Sequence, residues 1–229
     1  VDGCLFFDNN FYSFIKNIFM AKFNGPSGSL SGKIGPLVAC RWREIDYLRS
    51  LPNRDPETKN HPNIVAKNIK FKLASKFLSA FKDLIKIGYD NTGKQTSYNR
   101  AISNLLHTAV IDNYPDVYLD ISKIQLSKGP IAEPLIDNVT STVEGRIDFA
   151  WRDNSDQDTA NATDKTILVA YCPELERAMY NIHGEFRTTE SGTLEVPFFT
   201  GMQVHTWMAF ITDENKVSNS VYAGMLTVA

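Results

Sequence analysis

The 229 residues are enough for one large or two small domains, each with its own core, and no window approaches the roughly 18 to 20 apolar residues that a membrane-spanning helix needs. Three cysteines (Cys4, Cys40 and Cys172) leave at least one unpaired and form no C-x-x-C, so neither a disulfide framework nor a zinc site is signalled, and free, buried or half-buried thiols are expected. The net charge of −2 hides an asymmetry: Met20 to Gln125 carries 16 Lys and Arg against 9 Asp and Glu, whereas Leu126 to Ala229 carries 7 against 15.

The chain opens on "VDGCLFFDNNFYSFIKNIF", which lacks an initiator Met and the charged-then-apolar order of a complete signal peptide. Residues 1–19 are read first as upstream sequence translated in frame before Met20. They are read alternatively as an exchangeable apolar arm, since Phe6, Phe7, Phe11, Tyr12, Phe14, Ile15, Ile18 and Phe19 would need covering, and lastly as a remnant lipoprotein box ending at Cys4. "NGPSGSLSGKIGPL", Asn24 to Leu37, invites comparison with a phosphate-binding loop. However, Gly32-Lys33 is followed by Ile34 instead of Ser or Thr, and Gly35-Pro36 resists the helix that such a loop must start. The expectation is an extended, turning segment in which Gly25, Gly28, Gly32 and Gly35 supply positive φ or close approach.

"PLVACRWREIDYLRSLP" reads as a β-hairpin, with strands from Leu37 to Arg43 and from Asp46 to Leu51. It would gather Arg41, Arg43 and Arg49 around Trp42 and Tyr47, either as a nucleic-acid surface or as a ribbon whose arginines pair with Glu44 and Asp46. From Asn63 the period becomes helical: Ile69, Leu73, Phe77, Phe81 and Leu84 form one stripe, Lys72, Lys76, Lys82 and Lys86 lie opposite, and Gly88 stands where a C-cap is wanted. A second helical stripe runs through Tyr98, Ala101, Ile102, Leu105, Leu106 and Ala109. His107 beside it has no second metal-binding side chain four residues away and is read as a boundary residue. Val117, Leu119 and Ile121, then Ile124 and Leu126, suggest one or two strands before "KGPIAEP", a Gly/Pro-rich run taken as the domain boundary.

Beyond it strand signals recur about every ten residues, at Leu135 to Thr140, Arg146 to Trp151, Thr166 to Tyr171, Ala178 to His183, Thr193 to Pro197, Gln203 to Thr212 and Val217 to Val228. The fold expected is an α+β domain over residues 20–128, with a hairpin and two amphipathic helices, followed by an all-β sandwich over residues 129–229. Pro134, the strands "RIDFAW" and "TILVAY", Leu194 before "VPFFTG", "VHTWMAF" and "VSNSVYAG" together resemble a fibronectin type III domain of the immunoglobulin-like class. Trp207 stands where that family usually carries Tyr. From Met20 onward the chain also resembles an uncharacterised bacterial family of this size, through "SGKIG", "RW…RSLP", "FKLASKFL", the Tyr98-Asn99 and Ala101 segment, and "VSNSVY". That resemblance implies the domain order and Met20 as the start, and carries over no catalytic residue.

No familiar catalytic motif appears, and His61, His107, His183 and His205 lack metal-ligand spacing. Asp153, Asp156, Asp158 and Asp164 crowd one loop without the alternation of a calcium site, so a solvated loop is expected. Asp158-Thr159-Ala160 resembles a short bacterial O-glycosylation acceptor at Thr159. The expected function is therefore a non-enzymatic structural protein with no metal and no cofactor. The basic part would dock head to tail on the acidic part of the next copy, extending to a filament or array. The candidate interaction surface comprises Arg41, Trp42, Arg43, Tyr47, Arg49, Lys72, Lys76, Lys82, Lys86, Asp153, Asp156 and Asp158. The alternatives are a cell-surface or phage-like-particle module binding glycan or protein, and nucleic-acid binding through the hairpin and the lysines. An extracellular or cell-surface location accompanies these readings.

Overall fold

The computed structural model describes residues 19–24, 29–42, 45–51, 61–89, 95–113, 116–157 and 159–229. The chain forms two compact units, Val1–Asn60 and His61–Ala229.

The first unit holds a four-stranded antiparallel sheet in chain order: β1 (Phe19–Asn24), β2 (Ser29–Ile34), β3 (Leu37–Trp42) and β4 (Ile45–Ser50). Ile34 pairs with Leu37 across a two-residue turn in which Gly35 has φ 56°, the positive φ that a tight hairpin asks of its first central residue. Gly32-Lys33 therefore lies on a strand that turns into another strand, not into a helix. Gly25, Gly28, Glu44 and Asp158 fall outside the described residues, as does the segment 1–18 with its apolar arm and Cys4.

The second unit mixes α and β and is mostly β. Its helices are α1 (Pro62–Leu78), α2 (Lys82–Gly88) and α3 (Ser97–Thr108), with a 3₁₀ turn over Ser79–Phe81 between the first two. His61 caps α1 by accepting from the Asn63 amide at 3.3 Å, and Pro62 takes the first turn, where its missing N–H costs nothing. Gly88 ends α2 without a positive φ; a Cβ there would lie 2.6 Å from the Leu126 carbonyl oxygen, so glycine serves close approach and not the cap expected of it. A small hairpin follows, β5 (Val110–Asn113) with β6 (Asp116–Leu119).

All seven strands expected beyond residue 129 are present: β7 (Leu135–Thr140), β8 (Arg146–Arg152), β9 (Lys165–Cys172), β10 (Arg177–Asn181), β11 (Ser191–Glu195), β12 (Gln203–Ile211) and β13 (Val221–Thr227). They form two antiparallel sheets of order β10-β9-β12-β13 and β11-β8-β7. Residues 217–220, expected within the last strand, instead precede it.

The four-stranded sheet is covered on both faces. Leu168, Ala170, Cys172, Val204, Met208 and Phe210 pack with Ile147, Phe149, Trp151 and Leu194 of the smaller sheet. The alternate residues of the same strands, Ile167, Val169, Tyr171, Trp207, Ala209 and Ile211, pack with Phe77, Phe81, Leu84 and Leu105 of the helical layer. Phe77 meets Tyr171 edge-on at 5.0 Å between ring centroids, and Phe81 meets Trp207 at 6.2 Å. Residue 128, where the sequence divides the chain, thus lies inside one unit whose helices and sheet share a core.

Candidate interaction surfaces

The hairpin β3-β4 forms as expected, and its pleat sorts the basic residues. Cys40 pairs with Tyr47, Arg41 with Asp46, Trp42 with Ile45 and Val38 with Arg49. Side chains alternate in direction with a period of two, so Tyr47 and Arg49 share one face with Cys40 and Ile45, while Arg41 stands on the other with Leu48. The expected gathering of arginines around one aromatic patch is therefore corrected to arginines on opposite faces; Arg43 is outside the described residues. Arg41 pairs with Asp46 at 3.8 Å, and Arg49 Nε donates to Cys40 Sγ at 3.4 Å, which leaves Cys40 a free, half-buried thiol.

More unusual is how little this sheet covers. Across residues 31–41 and 45–51 only Ala39 is buried, and all six residues of β4 are exposed. Leu37, Ile45, Tyr47, Leu48 and Leu51 are between 40% and 61% exposed. β4 is an edge strand, so one row of its backbone N–H and C=O groups also lacks a sheet neighbour among the described residues.

The four helix lysines do not make one free basic stripe. Lys76 pairs with Glu176 at 2.5 Å and Lys86 with Asp83 at 2.6 Å; only Lys72 and Lys82 are exposed without such a pair among the described residues. Ile69 and Phe71 are 39% and 54% exposed, so the apolar stripe is buried only from Ala74 onward.

In the sandwich loops, Asp153 closes an Asx turn, accepting from the Ser155 amide at 3.0 Å and the Ser155 hydroxyl at 3.1 Å, while Asp156 and Thr159 are exposed. Asp164 turns inward. Its carboxylate accepts from Arg187 Nη2 at 2.9 Å, with both side chains essentially unexposed. Arg187 also donates to Asn154 Oδ1, and its guanidinium carbon lies 3.7 Å from the centroid of Phe210. Burial draws the Arg187 pKa below its ordinary value, and Asp164 opposes that shift. Nothing in the sequence pattern marks this pair, because a lone Arg between "GEF" and "TTE" reads as a surface residue.

Above this network, Pro130, Ile131, Thr159, Asn161, Thr163, Asp164, Thr212, Asp213, Glu214 and Lys216 line a polar cleft of about 480 Å³. No group of three or more His, Cys, Asp or Glu side chains converges among the described residues. None of the described helices is long and apolar enough to cross a membrane. Cys172 is buried, with Sγ 3.6 Å from Met202 Sδ.

Residues 29–224 match a family described as one of unknown function, DUF6266. The match takes in the "SGKIG" strand, the hairpin, both helical stretches and "VSNSVY", the segments on which the resemblance to an uncharacterised family of about this size rests. No curated protein matches the chain.

Proposed function

The chain belongs to this family of unknown function, and we propose that it is a non-enzymatic structural subunit that associates with further copies of itself. The observation that carries this reading is β4, an edge strand exposed on both sides, with Ile45 and Tyr47 on one face and Leu48 on the other. Edge strands of stable monomers are commonly blunted by charge, proline or bulges, and a strand supplied by a partner satisfies both the free backbone groups and the apolar side chains. The acidic counterpart is β11, the edge of the three-stranded sheet, where Glu195 and the preceding Glu190 are exposed. Contact between two different surfaces is heterologous and propagates as a filament or array unless it closes. Each exposed ion pair is worth only about 0–1 kcal/mol, so apolar burial would supply the affinity and the charges would set orientation and encounter rate.

The strand orders β11-β8-β7 and β10-β9-β12-β13 also support reading residues 129–229 as an immunoglobulin-like sandwich of the fibronectin type III kind, a scaffold that serves many roles. The pairing of Lys76 and Lys86 with carboxylates of this same chain favours a protein partner over nucleic acid.

The test is mass by light scattering, with negative-stain imaging, at low and high salt. The expected mass rises with protein concentration and is largely kept at high salt, where assembly is slower to form. Ile45→Lys with Leu48→Glu leaves a monomer of unchanged circular dichroism. A monomer at every concentration and salt, or assembly untouched by the double change, would overturn the proposal.

The polar cleft of about 480 Å³ at the 159–164 and 212–216 loops favours a second reading, glycan or protein recognition through the sandwich loops. Glycan-array binding lost in Asn161→Ala and Glu214→Ala variants is its expected signature, and an array without any hit would count against it.

A further inference from the structure

Two surfaces combine exposed apolar side chains with charge of one sign, and they belong to different units of the chain. The first is one face of the N-terminal sheet. Its register puts Lys33, Val38 and Arg49 in one cross-strand row and Cys40 with Tyr47 in the next, so these side chains share a face with Ile45. Lys33, Ile45, Tyr47 and Arg49 are exposed there, while Asp46 stands on the other face, paired with Arg41.

The second surface is a tip of the second unit where three loops adjoin, residues 141–145, 173–176 and 196–202. The Val196 amide donates to the Gly145 carbonyl at 2.7 Å, and a Cβ on Gly145 would lie 3.0 Å from Pro197 Cα. Cys172 Sγ, 3.6 Å from Met202 Sδ, brings the remaining loop alongside. Each loop carries an exposed apolar side chain: Val143, Leu175 and Phe198, the last 73% exposed. Phe198 is held outward by its neighbour, because the 3₁₀ turn Pro197–Phe199 sinks Phe199 into the core.

These loops hold Glu144, Glu174 and Glu176 and no Lys or Arg, and Glu195, three residues before Phe198, is exposed as well. Lys76 takes Glu176, and Arg146 beside the tip is paired with Asp148 at 2.9 Å. A single exposed apolar residue asks for no explanation, but one on each of three adjoining loops, rimmed by carboxylates, has the make-up of an interface. Carboxylates are repelled by an anionic lipid surface, so the tip suits a basic protein face and not a membrane. We propose that it receives, from a second copy, the face of the N-terminal sheet that carries Lys33 and Arg49. Phe198 and Val143 then cover Ile45 and Tyr47, and Glu144 and Glu195 meet the two cations. This contact rests on the self-association proposed above and narrows its acidic side to the Glu195 end of β11. The two surfaces differ, so each copy offers one and receives the other.

Light scattering on two variants of the full chain, alone and mixed, tests this. Val143→Asp with Phe198→Asp spoils the tip, and Tyr47→Glu with Arg49→Glu spoils the sheet face. All four positions are exposed, and circular dichroism with thermal melting verifies that each variant folds. Each alone is expected to be a monomer at concentrations where the parent chain assembles. Mixed one to one, they should form a dimer and nothing larger, because each keeps the surface that the other has lost. Glu190→Gln, at the other end of β11, should assemble as the parent does. A parent chain that stays monomeric would overturn self-association and this contact with it. A parent that assembles while either variant assembles equally well, or while the two monomeric variants fail to pair, would leave self-association to another surface and overturn this assignment alone.

Discussion

Arg187 is the residue on which the sandwich end depends most. A guanidinium with no exposed surface is tolerable only because Asp164, Asn154 and the face of Phe210 replace water around it, and its backbone carbonyl in turn accepts from Trp151 Nε1 at 2.8 Å. Removing one member strands the other. Asp164→Ala is expected to cost about 3–5 kcal/mol in denaturant unfolding, while Arg187→Met with Asp164→Leu together should return most of that loss, since a well-packed apolar pair avoids desolvation. Equal losses in the single and double variants would refute the view of the pair as a coupled unit. His205 offers a smaller handle. It is half-buried, with Nδ1 2.8 Å from Tyr222 Oη, and burial lowers its pKa below the ordinary 6.5. Above 6.5 both folded and unfolded states are neutral and the residue contributes nothing. As pH falls through 6.5 the unfolded chain binds the proton first, so stability declines until the folded pKa is passed. Thermal melts should show a smaller acid-side decline in His205→Gln than in the parent chain.

Among the elements, the segment from Ile124 to Ile131 is the least obvious and the most constrained. Read by composition, "KGPIAEP" is a linker. In the structure the two residues before it run buried beside residues 217–220: the Leu126 and Ser127 amides donate to Ser220 Oγ at 2.7 and 3.3 Å, and Ser127 Oγ donates to the Ser218 carbonyl at 2.8 Å. Gly129 has no room for a side chain, because its Cβ would sit 2.0 Å from the Val217 carbonyl oxygen. "VSNS", residues 217–220, is thus a clamp that leads into β13. Ser220→Ala should cost about 1–3 kcal/mol by orphaning buried amides, and Gly129→Ala at least the upper end of the about 1–3 kcal/mol of an overpacked core; urea unfolding measures both. The strands were readable because alternation and turn residues are local signals, and the hairpin and helices likewise. The clamp and the buried Arg187 were not, since each joins residues distant in the chain: 94 positions separate Leu126 from Ser220 and 23 separate Asp164 from Arg187. One long-range signal was available. "TILVAYC" and "WMAFI" are unbroken apolar runs, as strands covered on both faces tend to be, and not the alternating pattern of a sheet with one wet side.

That double burial decides how the whole second unit folds. The helical layer, residues 61–125, carries 9 Lys and Arg against 5 acidic residues, and it lies on the acidic part of the same chain, so a share of the charge asymmetry is met internally, as Lys76 with Glu176 illustrates. What the asymmetry leaves for a partner is smaller than the sequence alone implies, and the apolar edge of β4 becomes the stronger ground for association. The sheet, conversely, cannot dispense with its helices. Without them Ile167, Val169, Tyr171, Trp207 and Ile211 would face water, and Trp207 Nε1 would lose the Ile124 carbonyl it reaches at 3.0 Å. At about 1.5–3 kcal/mol for each large side chain, five of them rival the about 5–15 kcal/mol that stabilises an entire domain. A chain limited to residues 129–229 should therefore fail to fold or should aggregate. Residues 61–229 should melt in one cooperative transition with the near-ultraviolet circular dichroism of packed Trp207. A cooperative, soluble 129–229 fragment with that same signal would show that the sandwich is self-sufficient and the helices an accessory, and would return the domain boundary to residue 128.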